Sequence, residues 1–262
     1  MKKLLLSTVA LMGLTVAAGA ADLPRRAMAP VAPILSVPVF TWTGFYVGVH
    51  AGYAFGDSDI RTTGVLQGNI NNVNALARPP SLSVDKEGFI GGAQIGFNYQ
   101  FGMFVAGIEA DLSYTDLSET QTYASPTTFG AALAGTRSTL SQDLEYLGTV
   151  RARLGVSFDR ALVYVTGGLA YGDVSYRADF FTSGGALQFA GRKSDVEVGY
   201  TIGAGVEYAF TNNLTLKAEY LYYDLGSRNV QVDSIPGVGT GAYVSRFETD
   251  GHIARVGLNY KF

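Results

Sequence analysis

The sequence predicts an all-β chain closed into an eight-stranded antiparallel transmembrane β-barrel, with short periplasmic turns and four long extracellular loops. Three observations predict it. Eight segments alternate apolar and polar residues with period two, and the links between them alternate strictly between short and long. Glycine gathers on the polar face of these segments, while aromatic residues gather near the ends of the apolar face. A composition of 33 glycines, 15 phenylalanines and 16 tyrosines in 262 residues accords with many strands.

In chain order, Lys2 and Lys3 precede an uncharged run from Leu4 to Ala18, and Ala18-Gly19-Ala20 supplies the small residues a signal peptidase needs. The run is short for a membrane helix, which takes about 20 apolar residues, so residues 1–20 read as a Sec signal peptide. Residues 21–41 contain Pro24, Pro30, Pro33 and Pro38, a density that favours extended chain, and read as a periplasmic leader. The barrel is expected over residues 42–262. The other prolines, Pro79, Pro80, Pro126 and Pro236, all fall in links, as a hydrogen-bonded ladder requires, because proline has no N–H to donate. There is no cysteine, so an exported chain entering a disulfide-permissive compartment must be held by burial and ladder closure. A formal net charge of −3, made more acidic by removal of Lys2 and Lys3, offers nothing to a nucleic acid.

The alternating segments lie at roughly 43–55, 89–100, 103–114, 144–158, 161–176, 196–210, 214–225 and 248–262. Many exceed the usual strand of about 5–6 residues and reach the roughly 9–11 residues a tilted strand needs to cross a bilayer. Short links occur at Phe101-Gly102, Asp159-Arg160 and Thr211-Asn212-Asn213; long ones span about 56–88, 115–143, 177–195 and 226–247. An even strand number places both barrel termini at the short-turn, periplasmic end.

Alternation alone leaves two readings open, a soluble barrel with its apolar face inside and a membrane barrel with it outside. The glycines favour the second. Gly48, Gly52, Gly92, Gly96, Gly107, Gly155, Gly199, Gly203, Gly205 and Gly257 share the polar face, and since glycine weakens strands their gathering there asks for a steric cause. The lumen of an eight-stranded barrel is only just wide enough for side chains, which supplies one. On the apolar face, Phe45, Val47, Val49, Ala51, Tyr53 and Phe55 set aromatics at two levels around an aliphatic band, as at two membrane interfaces. Val47, Ile95 and Val256 are therefore expected to face lipid, and Arg151 and Glu219 the lumen.

The inward set is Glu109, Asp111, Glu145, Glu197, Glu207 and Glu219 against Arg151, Arg153, Lys217, Arg255 and, at the periplasmic rim, Lys261. Glu109 and Asp111 lie one strand from Arg151 and Arg153, and Lys217 and Glu219 one strand from Arg255, so cross-strand pairing is expected. Two readings follow: a salt-bridged lumen that is closed, or charges lining a conducting pore or proton path. Closure is preferred because eight strands leave little open cross-section.

Catalytic candidates are few. His50 is expected inside the first strand, with no serine marked out beside it, and His252 near the outer rim of the last. A nucleophile, base and orienting acid within reach are not evident, so no enzyme is expected. No cysteine and no histidine pair at ligand spacing speaks for a metal. "GVGTGA" at 237–242 lacks the lysine of a phosphate-binding loop, and Asp85-Lys86-Glu87 reads as a solvated loop end.

"AADLPRR", "TWTGFYVGVHAGYAFG", "LKAEYLYYDLG" and "HIARVGLNYKF", in that order, together resemble the small outer-membrane immunogenic proteins of alphaproteobacteria, the porin-family or outer-membrane β-barrel-domain proteins. The resemblance covers nearly the whole mature chain. It implies an eight-stranded, surface-exposed barrel in the outer-membrane lipid, associated with envelope integrity. It also implies a C-terminal signal, here Leu258, Tyr260 and Phe262, read by the barrel-assembly machinery. Some members are described as haem-binding, but the four expected outer loops hold no histidine, and Tyr123 and Tyr243 are their only tyrosines left as ligands, so no cofactor is expected. The role read from all this is envelope structure and surface presentation. A narrow solute channel, or haem or host-ligand binding by the loops, is the alternative.

Overall fold

Strand-forming residues alternate along most of the chain, and the ladder they build runs further than the alternating segments suggest. The computed structural model describes residues 40–126 and 135–262. Its strands are β1 Gly44–Gly64, β2 Ser81–Phe101, β3 Phe104–Ala124, β4 Arg137–Phe158, β5 Ala161–Phe181, β6 Leu187–Ala209, β7 Leu214–Ser234 and β8 Ala242–Lys261, with one helix, α1 Gln67–Asn74, between β1 and β2. Each strand pairs with the next and β8 returns antiparallel to β1, closing the barrel; toward the loops the ladder opens between β2 and β3, which pair only from Ile90↔Thr115 to Phe101↔Phe104, and between β6 and β7, whose pairing lapses between Ala190↔Asp233 and Tyr200↔Asp224. The expected signal peptide, 1–20, and leader residues 21–39 lie outside the described residues.

At the short-turn end, Gly102 takes φ 63° and Asp159 φ 55°, left-handed values that tight hairpins demand and that glycine and aspartate tolerate. At the other end only 65–80, 125–136, 182–186 and 235–241 lie between strands. Most residues of the four long links therefore continue the ladder.

The reason is a reversal of polarity along each strand. In β1 the odd positions Phe45, Val47, Val49 and Tyr53 point outward. Beyond Phe55 the facing persists, but Asp57, Asp59 and Arg61 now point outward and Ile60 is buried inside. The half nearer the loops is built like a soluble barrel, polar outside and apolar inside. In β7 the switch coincides with a register shift after Asp224 at Gly226, whose φ is 85°, a bulge that resets which residues face in. Val230 and Val232 then fill the interior.

The interior has three zones. Near the loops it is apolar, with Ile60, Leu117, Leu140, Phe180, Tyr243 and Phe247 in one continuous core. The middle is ionic. At the short-turn end Trp42, Val105, Leu162, Tyr164 and Ala209 pack together with Phe40 against them, and the Trp42 amide donates to Gln100 Oε1 at 2.8 Å.

Val47, Ile95 and Val256 are 42%, 56% and 57% exposed on the outer wall, against 1% and 4% for Arg151 and Glu219. Two expectations, one of an inward residue and one of a loop, need correction. Glu145 sits at a β-bulge between Leu144 and Tyr146, which turns it to the exterior. Lys86 is no solvated loop residue: it lies in β2, buried, and its Nζ donates to the Glu248 carbonyl at 3.3 Å.

Candidate functional site

The ionic zone is assembled by register. Glu109 stands opposite Arg151 across β3 and β4, Glu207 opposite Lys217 across β6 and β7, and Glu219 opposite Arg255 across β7 and β8. Because the barrel is narrow, these pairs also meet across it. Arg151 Nη2 lies 2.5 Å from Glu109 Oε1 and 2.9 Å from Asp111 Oδ2, while its Nη1 lies 3.0 Å from Glu219 Oε1 on the far wall. Arg255 Nη2 lies 2.6 Å from Glu219 and 3.1 Å from Asp111. Lys217 Nζ is 2.8 Å from Glu109, and Arg153 Nη2 is 2.7 Å from Glu207. Glu109, Asp111, Glu207 and Glu219 thus balance Arg151, Arg153, Lys217 and Arg255, all buried. Ions taken out of water are tolerated when paired and otherwise hydrogen-bonded.

Neutral groups supply the further bonds. Tyr46 Oη donates to Glu109 Oε2 at 2.7 Å, Tyr164 Oη to Glu219 Oε1 at 2.9 Å, Thr149 Oγ1 to Asp111 Oδ2 at 2.6 Å and Asn259 Nδ2 to Glu207 Oε1 at 2.8 Å. The Arg153 guanidinium lies 3.9 Å from the centre of the Tyr164 ring, a cation–π contact. Both tyrosines owe their room to glycine. Tyr46 is paired with Gly96 and Tyr164 with Gly205, and a Cβ on Gly205 would come within 2.5 Å of Tyr164 Oη. Here is the steric cause the glycine-rich face called for.

All seven charged residues expected in the network, Glu109, Asp111, Arg151, Arg153, Lys217, Glu219 and Arg255, come together in this layer, and Glu207 joins them. Tyr46 and Tyr164 were overlooked. Their sequence signal is an aromatic on the glycine-rich face, out of phase with Phe45 and Val163. Glu197 lies nearer the loops, 2.5 Å from Arg228 Nε. Lys261 is at the short-turn rim, donating to the Thr41 carbonyl and lying 4.5 Å from the Phe40 ring centre.

His50 does have a serine beside it. Its Nε2 is 2.8 Å from Ser113 Oγ and 3.3 Å from Arg255 Nη1, while Nδ1 meets Gln94 Oε1. An amide stands where a triad would place an acid, and all four side chains are buried in the ionic layer. His252 faces outward, hydrogen-bonded through Nδ1 to Tyr220 Oη at 2.9 Å and stacked near Phe55. The two tyrosines considered as loop ligands are not loop residues. Tyr243 belongs to β8, is fully buried between Phe180 and Phe189, and accepts from Asn72 Nδ2 at 3.1 Å. Tyr123 belongs to β3 and donates to the Leu76 carbonyl at 2.9 Å. The extension of the ladder moved both.

Residues 6–262 match the family described as outer membrane protein beta-barrel domain. The chain belongs to that family. The 31 kDa outer-membrane immunogenic protein of Brucella melitensis biotype 1 is 37% identical over 265 residues, covering all of both chains. The 22 kDa outer membrane protein of Rhizobium leguminosarum bv. viciae is 29% identical over 229 residues, covering 86% of this chain and 80% of that protein. Among solved structures, OprG from Pseudomonas aeruginosa is similar at a TM-score of 0.46 with 13% identity, covering 85% of this chain and 98% of OprG. As a member of this family, the barrel sits in the lipid of the outer membrane. In that setting Leu258 and Tyr260 lie on the lipid-facing wall of β8 and Phe262, exposed, directly follows it, its amide donating to the Phe45 carbonyl at 3.0 Å.

Proposed function

We propose that this barrel is a structural and surface-antigenic component of the outer membrane, with a lumen closed to solutes by its charge network. The observation that carries this reading is Arg151, whose guanidinium bridges β3 and β7 through Glu109, Asp111 and Glu219 within 3.0 Å. An apolar core above and Trp42 below add to it. The name of the Brucella relatives, immunogenic proteins, supports surface presentation. Refolded protein in planar lipid bilayers is expected to give no reproducible open steps of porin size. Regular steps would overturn closure and favour a narrow channel. The burial of Ser113 and His50 behind the same network speaks against hydrolysis.

The same reading takes residues 1–20 as the export signal, 21–41 as a periplasmic leader, and Leu258, Tyr260 and Phe262 as the signal for the barrel-assembly machinery. Deletion of Phe262 should leave export intact while lowering the amount of assembled protein that migrates differently on boiled and unboiled gels. Wild-type amounts of that form would remove the role given to Phe262.

A further inference from the structure

Every cation of the ionic layer has a carboxylate, but Arg78, buried near the loops, does not. Arg78, in the 65–80 connection, is 3% exposed. Its Nη1 donates to the carbonyls of Arg137 at 2.9 Å and Phe181 at 3.1 Å and to Ser138 Oγ at 3.3 Å, and its Nη2 donates to Gln188 Oε1 at 2.9 Å. The guanidinium lies 5.0 Å from the Phe180 ring centre. All these partners are neutral, and Arg78 makes no ion pair with any described residue. The stretch 127–134, TTFGAALA, contains no acid. Burying a charge is costly unless an opposite charge accompanies it.

Beside this side chain is a cavity of about 420 Å³ at the extracellular end. Arg78 lines it together with the polar side chains of Asn69, Asn72, Thr182, Gln188 and Thr240, and no acid takes part. A volume of this order suits a small ligand, and amides, hydroxyls and one guanidinium are donors for an oxyanion.

We propose that this cavity binds a small water-borne oxyanion, a phosphate or carboxylate, with Arg78 as its charge partner. Burial pulls the Arg78 guanidinium below its ordinary range, opposed in part by Tyr243, and an arriving anion relieves that penalty. A phospholipid headgroup is the wrong source. The strands continue roughly ten residues past the band that crosses the bilayer, which at about 3.3 Å per residue and a tilt near 45° places the cavity on the order of 20 Å beyond it.

The test is thermal unfolding of refolded protein in detergent micelles, followed by mobility on unboiled gels. Inorganic phosphate or acetate is titrated against chloride at matched ionic strength. Wild type should show a saturable rise in midpoint with one or both oxyanions, as ligand binding to the folded state requires. Arg78→Gln should weaken the apparent affinity at least tenfold. Gln188→Glu covers the case in which Arg78→Gln fails to fold, because it sets a carboxylate beside Nη2. It should raise the midpoint without added anion and abolish the response. A wild-type midpoint that moves no more in either oxyanion than in chloride overturns the site, and so does a wild-type response in Gln188→Glu.

Discussion

Replacing Arg151 with methionine is expected to destabilise the barrel by about 3–5 kcal/mol, the usual cost of removing one partner from a buried ion pair. The loss is large because Arg151 is not half of a pair. It lies within 3.0 Å of Glu109, Asp111 and Glu219, so its removal leaves the layer with one more acid than base and without the shortest link between β4 and β7. Methionine fills much of the volume, which confines the effect to charge and hydrogen bonding. The companion variant Arg151→Met with Glu109→Gln restores neutrality. It is expected to recover part of the loss, with a coupling of roughly 0.5–3 kcal/mol between the sites. Urea unfolding in phospholipid vesicles measures both. If Arg151→Met unfolds within about 0.5 kcal/mol of wild type, the layer is not what holds the barrel walls together.

How far this layer was legible can be traced residue by residue. Arg151 and Arg153 alternate with apolar Val150, Ala152 and Leu154 in the transmembrane half, where outward and inward positions differ most in chemistry, so facing could be read directly. The same rule failed for Ile60 and Val230. There the outer surface meets water, and a reader looking for apolar residues facing out sees only polar loop. Tyr243 was misplaced for that reason, since it belongs to an apolar interior the rule did not anticipate. Glu145 was misplaced by a single bulge, because one extra residue moves a side chain to the opposite face. Tyr46 and Tyr164 were missed for a different cause. Their role depends on Gly96 and Gly205 one strand away, and such pairing follows from register, which a single sequence does not state. Arg78 is less visible still, since its lack of an acid is a fact about five separate segments meeting at one end.

Replacing Val150 with arginine should cost about 2–4 kcal/mol, while the same change at Phe158 should cost about 0–1 kcal/mol, because an arginine on the lipid face is penalised most at the bilayer midplane. Both side chains are on the outer wall, 52% and 61% exposed, and both belong to β4, so strand propensity and chain neighbourhood are held nearly constant. What differs is depth. Val150 stands between Ala110 and Leu169, next along the strand to Arg151 and hence level with the ionic layer. Phe158 ends the strand at the Asp159 turn, where a long cationic side chain can reach water. Urea unfolding in vesicles again reads the difference. Equal costs at the two positions would mean that the ionic layer does not lie at mid-bilayer. The hydrocarbon band would then have to be moved toward the loops, to the very residues, Asp57, Asp59 and Arg61, whose outward charges forbid it.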